Sequence, residues 1–222
     1  MKTNRKLVKA VIASLLFGWL VSSCTTTDSA MQKEAAVTGA KADEKMAPAK
    51  PQGVRSPSML ANTCAGCHGT DGASAGDAMP IIGGLEKEYL QIVLAEYKSG
   101  ERDSTIMGRI ARGYSDNELK AIASYFADKP WISSPAKADK KLAAIGKKIH
   151  EKRCKTCHED GGRVQEDDAP RLAGQWPDFT LIYLKDCHKK GRRCQPRKMG
   201  KRVAELSQKE LQAMAHYYLS EK

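Results

Sequence analysis

The chain has 222 residues, of which 41% are hydrophobic, 28% charged and only 6% aromatic. This composition excludes a mainly membrane-embedded protein and a wholly disordered one, and the length suits one large domain or two small ones. The 37 basic and 26 acidic residues give a formal charge of +11, which is typical of chains that meet nucleic acid, an anionic membrane or an acidic protein.

The first 23 residues have the pattern of a secretion signal. Four basic residues precede an apolar run over 10–21, which is too short for a comfortable transmembrane span. The run ends in VSSC, which resembles the bacterial lipobox and predicts that Cys24 is lipidated. An uncleaved anchor and a later cleavage, after Ala30, are the alternatives. We expect a periplasmic chain held to the membrane by its lipid, with residues 24–57 as a flexible tether because they contain hardly any large apolar residue.

The rest of the chain contains two copies of one unit. The motif CAGCH at 64–68 returns 90 residues later as CKTCH at 154–158. Further landmarks recur in the same order, at the same offset or, after small insertions, at an offset of 92: Pro80 and Pro170, Gly84 and Gly174, Tyr89 and Phe179, Met107 and Met199, Ser115 and Ser207, and Tyr125 and Tyr217. This repetition predicts two tandem domains, 58–131 and 132–222, joined by a linker around 129–135.

Both units are predicted to be helical, which makes the fold class all-α. SDNE at 115–118 and SQKE at 207–210 are capping boxes, and apolar residues follow each of them at helical spacing. The second unit opens with three aliphatic residues on one predicted helix face: Leu142, Ile145 and Ile149. Gly146 costs that helix about 1 kcal/mol relative to alanine, which indicates a close helix crossing there. No segment has the alternation of a strand.

The repeated motif carries the chemistry of the chain. CxxCH is the attachment signature of c-type haem: two thiols add to the vinyl groups of the haem, and the adjacent histidine coordinates the iron. The sequence predicts two covalently bound haem c groups, one on Cys64, Cys67 and His68 and the other on Cys154, Cys157 and His158. A zinc site would need further paired ligands nearby, and a thioredoxin-like redox CxxC would need a βαβ context; neither pattern is visible.

The sixth coordination position of each iron is predicted to be filled by a methionine. Met107 and Met199 follow their histidines by 39 and 41 residues, and each precedes a capped C-terminal helix. A thioether ligand stabilises ferrous iron and raises its potential, which suits electron transfer. Met79 is the alternative in the first unit and His188 in the second, but neither has a counterpart in the other unit, and Met214 is interpreted as a core residue.

Candidate supporting groups lie near both haem motifs. The carbonyls of Pro80 and Pro170 are possible acceptors for the Nδ1–H of the two histidines, although either proline can equally form a simple turn. Haem uses four of the seven cysteines and the lipid one, which leaves Cys187 and Cys194. Outside the cytoplasm we expect these two to form a disulfide shortly before Met199; two free thiols, or cysteine ligation of the haem, are the alternatives.

The positive charge is concentrated in the second unit. Residues 58–131 contain seven basic and ten acidic residues, whereas residues 132–222 contain 21 basic and 12 acidic residues. Eight basic residues bracket Met199: Lys189, Lys190, Arg192, Arg193, Arg197, Lys198, Lys201 and Arg202. Nucleic acid is not expected to meet an exported haem protein. We expect this surface to contact an acidic redox partner or anionic lipid headgroups, the alternative being a solvated basic face.

The chain resembles a known protein family over residues 56–222. The stretches that carry the resemblance are NTCAGCHGTDGASAG, YKSGERDSTIMGRIARGYSDNEL, GKKIHEKRCKTCHEDGG and RLAGQWPDF. They are similar to the diheme cytochrome subunits of flavocytochrome c sulfide dehydrogenases, within the tandem class I cytochromes c. The resemblance implies the axial pairs His68/Met107 and His158/Met199, and a flavoprotein partner that oxidises sulfide. The two remaining cysteines and the lipobox depart from that family's pattern.

These features predict a periplasmic diheme cytochrome that transfers single electrons, and the resemblance implies the electron-accepting subunit of a sulfide dehydrogenase. The chain has no GxGxxG flavin motif, so it cannot oxidise sulfide through a flavin alone. A free-standing diheme carrier to a terminal oxidase or reductase is one alternative. A diheme enzyme, such as a peroxidase or a thiosulfate-oxidising cytochrome, is another, and it requires an open or cysteine-ligated haem.

Overall fold

The computed structural model describes residues 55–189 and 194–222. The predicted signal peptide, Cys24 and nearly all of the tether lie outside these ranges, as does the centre of the basic loop, 190–193. None of the helices within the two described ranges has the length and apolar content that crossing a membrane requires.

The described chain is built from helices and their connections. The first half contains α1 (Pro57–Asn62), α2 (Ala65–His68), α3 (Lys87–Ser99), α4 (Met107–Ala111) and α5 (Asp116–Ala127), and the second contains α6 (Lys140–Arg153), α7 (Pro177–His188), α8 (Arg197–Val203) and α9 (Gln208–Ser220). Across these residues the only extended pairing is one isolated bridge, between Glu166 and Ala169. The predicted all-α fold is confirmed.

The core of the first half forms where α1 and α3 pack against α5. The predicted capping box is present at the start of α5: the Ser115 hydroxyl accepts from the Glu118 N–H, and the Glu118 carboxylate accepts from the Ser115 N–H. The residues of α5 that are buried behind the cap recur at helical spacing: Leu119, Ile122, Ala123 and Phe126. The cap fixes where the helix begins and thereby which face meets the core.

The core of the second half forms around a close crossing of α6 and α9. A Cβ on Gly146 would lie 2.5 Å from Tyr217 Cβ and would overlap the carbonyl oxygen of Ala213, so only glycine permits this approach. The crossing predicted from Gly146 is confirmed. The capping box predicted at Ser207 is also present, with Glu210 as its acidic partner.

The predicted apolar face of α6 is wrong by one position. Ile145 is exposed and its two companions in the prediction are only half-buried. The buried residues are Ala143, Gly146 and His150. The close approach of α9 puts small side chains on the line of contact, so the larger aliphatic residues lie beside that line rather than on it.

Two glycines hold equivalent loops against the two C-terminal helices. Gly84 and Gly174 have φ of +74° and +79°, a conformation that residues with a Cβ rarely adopt. The Gly84 N–H donates to Phe126 O at 2.8 Å, and the Gly174 N–H donates to Tyr218 O at 2.9 Å. The linker passes beside Gly84, where a Cβ would lie 2.7 Å from Trp131 N. The sequence repeat is therefore a repeat of backbone contacts as well.

Two glutamines of the second half bind the backbone of the first half. Gln175 Nε2 donates to Ile81 O at 3.0 Å, and its Oε1 accepts from the Ile81 N–H at 2.9 Å. Gln165 makes the same kind of pair: its Nε2 donates to Gly84 O and its Oε1 accepts from the Glu86 N–H, each at 3.0 Å. These paired bonds fix how the two halves are aligned, because each glutamine matches one donor and one acceptor at once.

Trp176 and Arg102 make further polar contacts between the two halves. Trp176 Nε1 donates to Ser74 O at 3.0 Å. The buried Arg102 donates to Tyr183 OH at 2.7 Å and pairs with Glu96 at 2.8 Å. The charge of Arg102 is thus balanced within the contact, as a buried cation requires.

Candidate functional site

Both CxxCH motifs fold into the same tight turn. In the first, the N–H groups of Cys67 and His68 donate to Cys64 O at 3.2 and 3.0 Å. In the second, the corresponding N–H groups donate to Cys154 O at 3.2 and 3.0 Å. All four motif cysteines are free thiols. The spacing of the motif therefore places two thiols and one imidazole within a single turn of backbone.

His68 is a buried imidazole whose Nδ1 has a backbone hydrogen-bond partner. The side chain is buried, and burial lowers its pKa against the opposing effect of a hydrogen bond to Pro80. Its Nδ1 lies 3.0 Å from Pro80 O. Because a carbonyl only accepts, Nδ1 carries the hydrogen, which in the neutral imidazole leaves on Nε2 the lone pair that a metal ligand needs. The predicted bond to Pro80 is present at the first motif.

His158 is buried in the same way but lacks this bond. Burial lowers its pKa to about 4. Among the described residues, its Nδ1 is the one buried side-chain nitrogen or oxygen without a hydrogen-bond partner. The bond expected to Pro170 O is therefore not formed. A buried donor without an acceptor is unfavourable, so the second imidazole is oriented less firmly than the first.

The loop that follows the first motif is braced on both sides of Pro80. Ser74 Oγ donates to Met79 O at 2.7 Å, immediately before the proline. Gln175 Oε1 accepts from the Ile81 N–H at 2.9 Å, immediately after it. These bonds hold the Pro80 carbonyl in place to accept from His68.

The second loop has neither brace. At the repeat offset of 90, Val164 stands for Ser74 and Leu85 stands for Gln175, and neither side chain can form the bond. The loop closes on itself instead, through hydrogen bonds of 2.9 and 3.1 Å between Glu166 and Ala169. These differences give a physical reason why the Pro170 carbonyl does not accept from the second histidine.

A buried polar pair in the second half replaces an apolar pair in the first. By the repeat offsets, His150 and Tyr218 stand where Leu60 and Phe126 stand in the first half. His150 Nδ1 lies 3.3 Å from Tyr218 OH, and the Tyr218 side chain also hydrogen-bonds with the Cys154 thiol. Burial lowers the pKa of His150 and raises that of Tyr218. The sequence analysis missed this pair, although a position-by-position comparison of the two repeats would have found it.

The two candidate methionine ligands lie at equivalent places. Met107 is the first residue of α4, Met199 is the third residue of α8, and both are half-buried. Met214 is 2% exposed within the second core, as interpreted from the sequence, while Met79 is 38% exposed. Pairing of the two candidate methionines with the motif histidines stays a prediction.

The helix that carries the second candidate methionine is tied to α7. Cys187 and Cys194 form a disulfide and are both buried. A Cβ on Gly200 would lie 3.1 Å from Cys194 Cβ, so the disulfide packs directly against the backbone of α8. His188, the alternative ligand, instead donates from Nδ1 to Val203 O at 3.3 Å. Both contacts link the end of α7 to α8.

The available donors fit covalent haem better than a metal ion held by side chains alone. In the part of the chain that the structure describes, no three His, Cys, Asp or Glu side chains are grouped as a metal-ion site requires. Each motif offers two free thiols and one buried histidine on one turn. That is the set of groups that c-type haem attachment uses.

Two family models match the two halves of the chain. Residues 56–128 match the family described as cytochrome c, and residues 141–217 match the family described as cytochrome c oxidase, cbb3-type, subunit III. In structure, the chain is similar to reduced recombinant cytochrome c4 from Pseudomonas stutzeri, with a TM-score of 0.66 and 27% identity over 75% of this chain and 97% of that one.

Several curated relatives are similar to this chain in sequence. Cytochrome c4 of Pseudomonas aeruginosa is 31% identical over 169 residues, which cover 71% of this chain and 83% of the relative. The thiosulfate dehydrogenase electron acceptor of Stutzerimonas stutzeri is 29% identical over 178 residues, or 75% and 82% of the two chains. The cytochrome subunit of sulfide dehydrogenase of Chlorobaculum tepidum is 47% identical over 70 residues, which cover 32% of this chain and 63% of that relative.

Proposed function

Because the chain belongs to the cytochrome c4 family of diheme electron carriers, with two cytochrome c domains that each carry a covalent haem c, we propose that it is the electron-accepting subunit of a sulfide dehydrogenase. The observation that carries the proposal is the 47% identity over 70 residues to the sulfide dehydrogenase subunit. This exceeds the 31% identity to cytochrome c4 of Pseudomonas aeruginosa over 169 residues. The higher identity supports the same class of electron donor.

The residues of the chain have distinct roles in this function. Bound haem c supplies one-electron chemistry at its iron. The four motif cysteines would attach the two haems, and Nε2 of His68 and of His158 would be the nitrogen offered to each iron. Met107 and Met199 would supply the thioether ligands. Pro80 O orients the first imidazole through Nδ1, and both histidines are buried.

The second domain is proposed to dock an acidic electron acceptor. Four exposed basic residues surround Met199 on α8: Arg197, Lys198, Lys201 and Arg202. The residues at the same places in the first domain are also exposed but carry a single charge: Thr105, Ile106, Arg109 and Ile110. Opposite charges raise association rates, and salt weakens the effect. An acidic partner is therefore steered to the second domain, which leaves the first for the donor subunit.

The protein is proposed to act in the periplasm as a lipoprotein. The proposed organisation is a signal peptide over 1–23, lipidated Cys24 at the start of a tether over 24–57, and cytochrome domains over 58–131 and 132–222. The lipobox-like VSSC and the disulfide, which needs an oxidising compartment, both support export.

A thiosulfate-oxidising partner is the second candidate. The thiosulfate dehydrogenase electron acceptor of Stutzerimonas stutzeri matches over 82% of its length, more than the 63% of the sulfide dehydrogenase subunit. Its identity is lower, at 29%, and this is why sulfide is preferred.

Capture of the full-length protein from detergent-solubilised membranes of its own host distinguishes these functions. We expect a flavoprotein to co-purify, an acid extract to contain flavin, and sulfide to reduce the haems under anaerobic conditions. Reduction by thiosulfate but not by sulfide, without flavin, would support the second candidate. A flavin-free diheme protein that neither donor reduces would be a free-standing carrier.

A further inference from the structure

A chain of hydrogen bonds runs from the first histidine across the contact between the two domains. His68 Nδ1–H donates to Pro80 O at 3.0 Å, and the Ile81 N–H donates to Gln175 Oε1 at 2.9 Å. Pro80 O and the Ile81 N–H belong to the same peptide group. The imidazole of the first domain is therefore linked to a side chain of the second domain through one amide.

Gln175 is fixed in a single orientation. It is 5% exposed, its Nε2 donates to Ile81 O at 3.0 Å, and its Oε1 also accepts from the Trp176 N–H at 3.1 Å. The amide oxygen therefore has two donors and the amide nitrogen has an acceptor, which excludes the flipped amide.

An amide that donates at its N–H becomes a stronger acceptor at its carbonyl, because hydrogen bonds in a chain polarise one another and burial strengthens the effect. The bond from Gln175 thereby strengthens the acceptor that His68 meets at Pro80. A stronger acceptor at Nδ1 makes the imidazole a more basic ligand. A more basic ligand favours ferric over ferrous iron.

Among the described residues, the second domain lacks the corresponding chain of hydrogen bonds. Leu85 stands at the place of Gln175 by the repeat offset and has no acceptor, and His158 Nδ1 has no partner among the described residues. The brace is therefore specific to the first haem site, although it is supplied by the second domain.

We propose that Gln175 is a positioning residue for His68: through the Pro80–Ile81 peptide, the second domain strengthens the proximal ligand of the first haem and lowers its reduction potential. The inference rests on the axial role proposed for His68. It makes the potential of the first haem depend on docking of the two domains.

Three variants of the full diheme protein test the proposal. Gln175→Leu introduces the residue of the other repeat and removes the acceptor for the Ile81 N–H. Gln175→Glu keeps an acceptor, which is stronger when ionised. Gln165→Leu is the matched control, because Gln165 binds Gly84 O and the Glu86 N–H across the same contact but does not touch the Pro80–Ile81 peptide.

An optical redox titration resolves the potentials of the two haems. In Gln175→Leu we expect the reduction equilibrium of the first haem to shift several-fold towards ferrous, and at most about tenfold, or about 59 mV for one electron. In Gln175→Glu it should shift the other way, and in Gln165→Leu it should stay at the wild-type value. An equal shift in the Gln175→Leu and Gln165→Leu variants, or no shift in either Gln175 variant, would overturn the proposal. If the Gln175→Leu variant fails to accumulate with two haems, the Gln175→Glu variant still tests the proposal, through the expected shift of the first haem towards ferric iron.

Nuclear magnetic resonance distinguishes a failure of the proposed role of Gln175 from a failure of the proposed axial role of His68. Ferric iron strongly changes the chemical shift of the Nδ1–H proton of an axial histidine. In the Gln175→Leu variant, the Nδ1–H of His68 should exchange with deuterium faster than in the Gln165→Leu control. A His68 resonance without that shift would refute its axial role. A shifted resonance with unchanged exchange and potential would refute the role of Gln175 alone.

Discussion

Replacement of Gly146 by alanine is expected to destabilise the second domain, although alanine is the better helix former by about 1 kcal/mol. The new Cβ would lie 2.5 Å from Tyr217 Cβ and 2.8 Å from the carbonyl carbon of Ala213, whereas ordinary contacts begin at 3.4 Å. The Ala213 atoms are backbone and cannot rotate away. Relief therefore requires α6 and α9 to move apart by about 1 Å in a close-packed core.

The size of the effect follows from two opposing quantities. Overpacking costs about 1–3 kcal/mol, and the upper end applies here because backbone must move. Separation of the helices also loosens Ala213 and Met214, which are 0% and 2% exposed. An overpacking penalty of about 3 kcal/mol against a propensity gain of about 1 kcal/mol leaves a net loss of about 2 kcal/mol. In a domain of this size, that lowers Tm by about 8–16 °C.

Thermal unfolding of the ferric protein, followed by circular dichroism, measures this change. Gly66→Ala is the matched control: Gly66 lies in α2 with nothing within 4 Å of an added Cβ, and the other repeat has Thr156 at the same place. It should leave Tm unchanged or raise it slightly. A Gly146→Ala variant as stable as wild type would show that α6 and α9 can separate at little cost, and would refute the close-crossing explanation.

Three further predictions follow from the haem sites and the N-terminus. Met107→Ala and Met199→Ala should each remove the far-red Met–Fe(III) absorption band of one haem while both haems stay attached; an unchanged spectrum would refute that ligand. Cys24→Ser should move the protein from the membrane fraction to the soluble periplasmic fraction, and a variant that stays on the membrane would contradict lipid anchoring. His150→Leu, which introduces the residue found at Leu60, should flatten the loss of Tm between about pH 7 and pH 5.

The sign of the pH effect comes from burial of His150. Burial lowers the pKa of the folded side chain, while the unfolded side chain titrates near 6.5. Below that pH the unfolded state binds more protons, so stability is full above it and is lost as pH falls. The charged groups that act on His150 are Glu151, Glu221 and Lys155, and the first two only partly oppose burial. A variant with the same pH dependence of Tm as wild type would mean that another group causes the loss.

Local rules predicted much of the fold because their signals lie close together in the sequence. Each of the two capping boxes spans only four residues. Gly146 indicates a close crossing because glycine weakens the helix in which it lies, and close packing against another helix offsets that cost. The face of α6 was predicted one position away because periodicity counts large aliphatic residues. At a crossing this close the small residues are the ones that make contact.

The bonds between the domains could not be predicted in this way. Gln175 binds Ile81 across 94 residues, and Gln165 binds Glu86 across 79. A glutamine in a loop belongs to no periodic pattern, and the other repeat has Leu85 at the place of Gln175. The two haem sites therefore look equivalent from their motifs, while the contacts that make them different are visible only in three dimensions.

These differences between the two sites predict which haem has the lower reduction potential. The hydrogen-bond chain through Pro80 strengthens the first proximal ligand and favours ferric iron there. The exposed basic residues of α8 lie around Met199, the proposed ligand of the second iron, and positive charge near an iron favours the less positive ferrous state. Together, the two proposals predict that the first haem has the lower potential, so that electrons would enter at the first domain, pass to the second and leave towards an acidic acceptor. Gln175→Leu should narrow the gap between the two potentials by raising the lower one, and a wider gap would reverse this order.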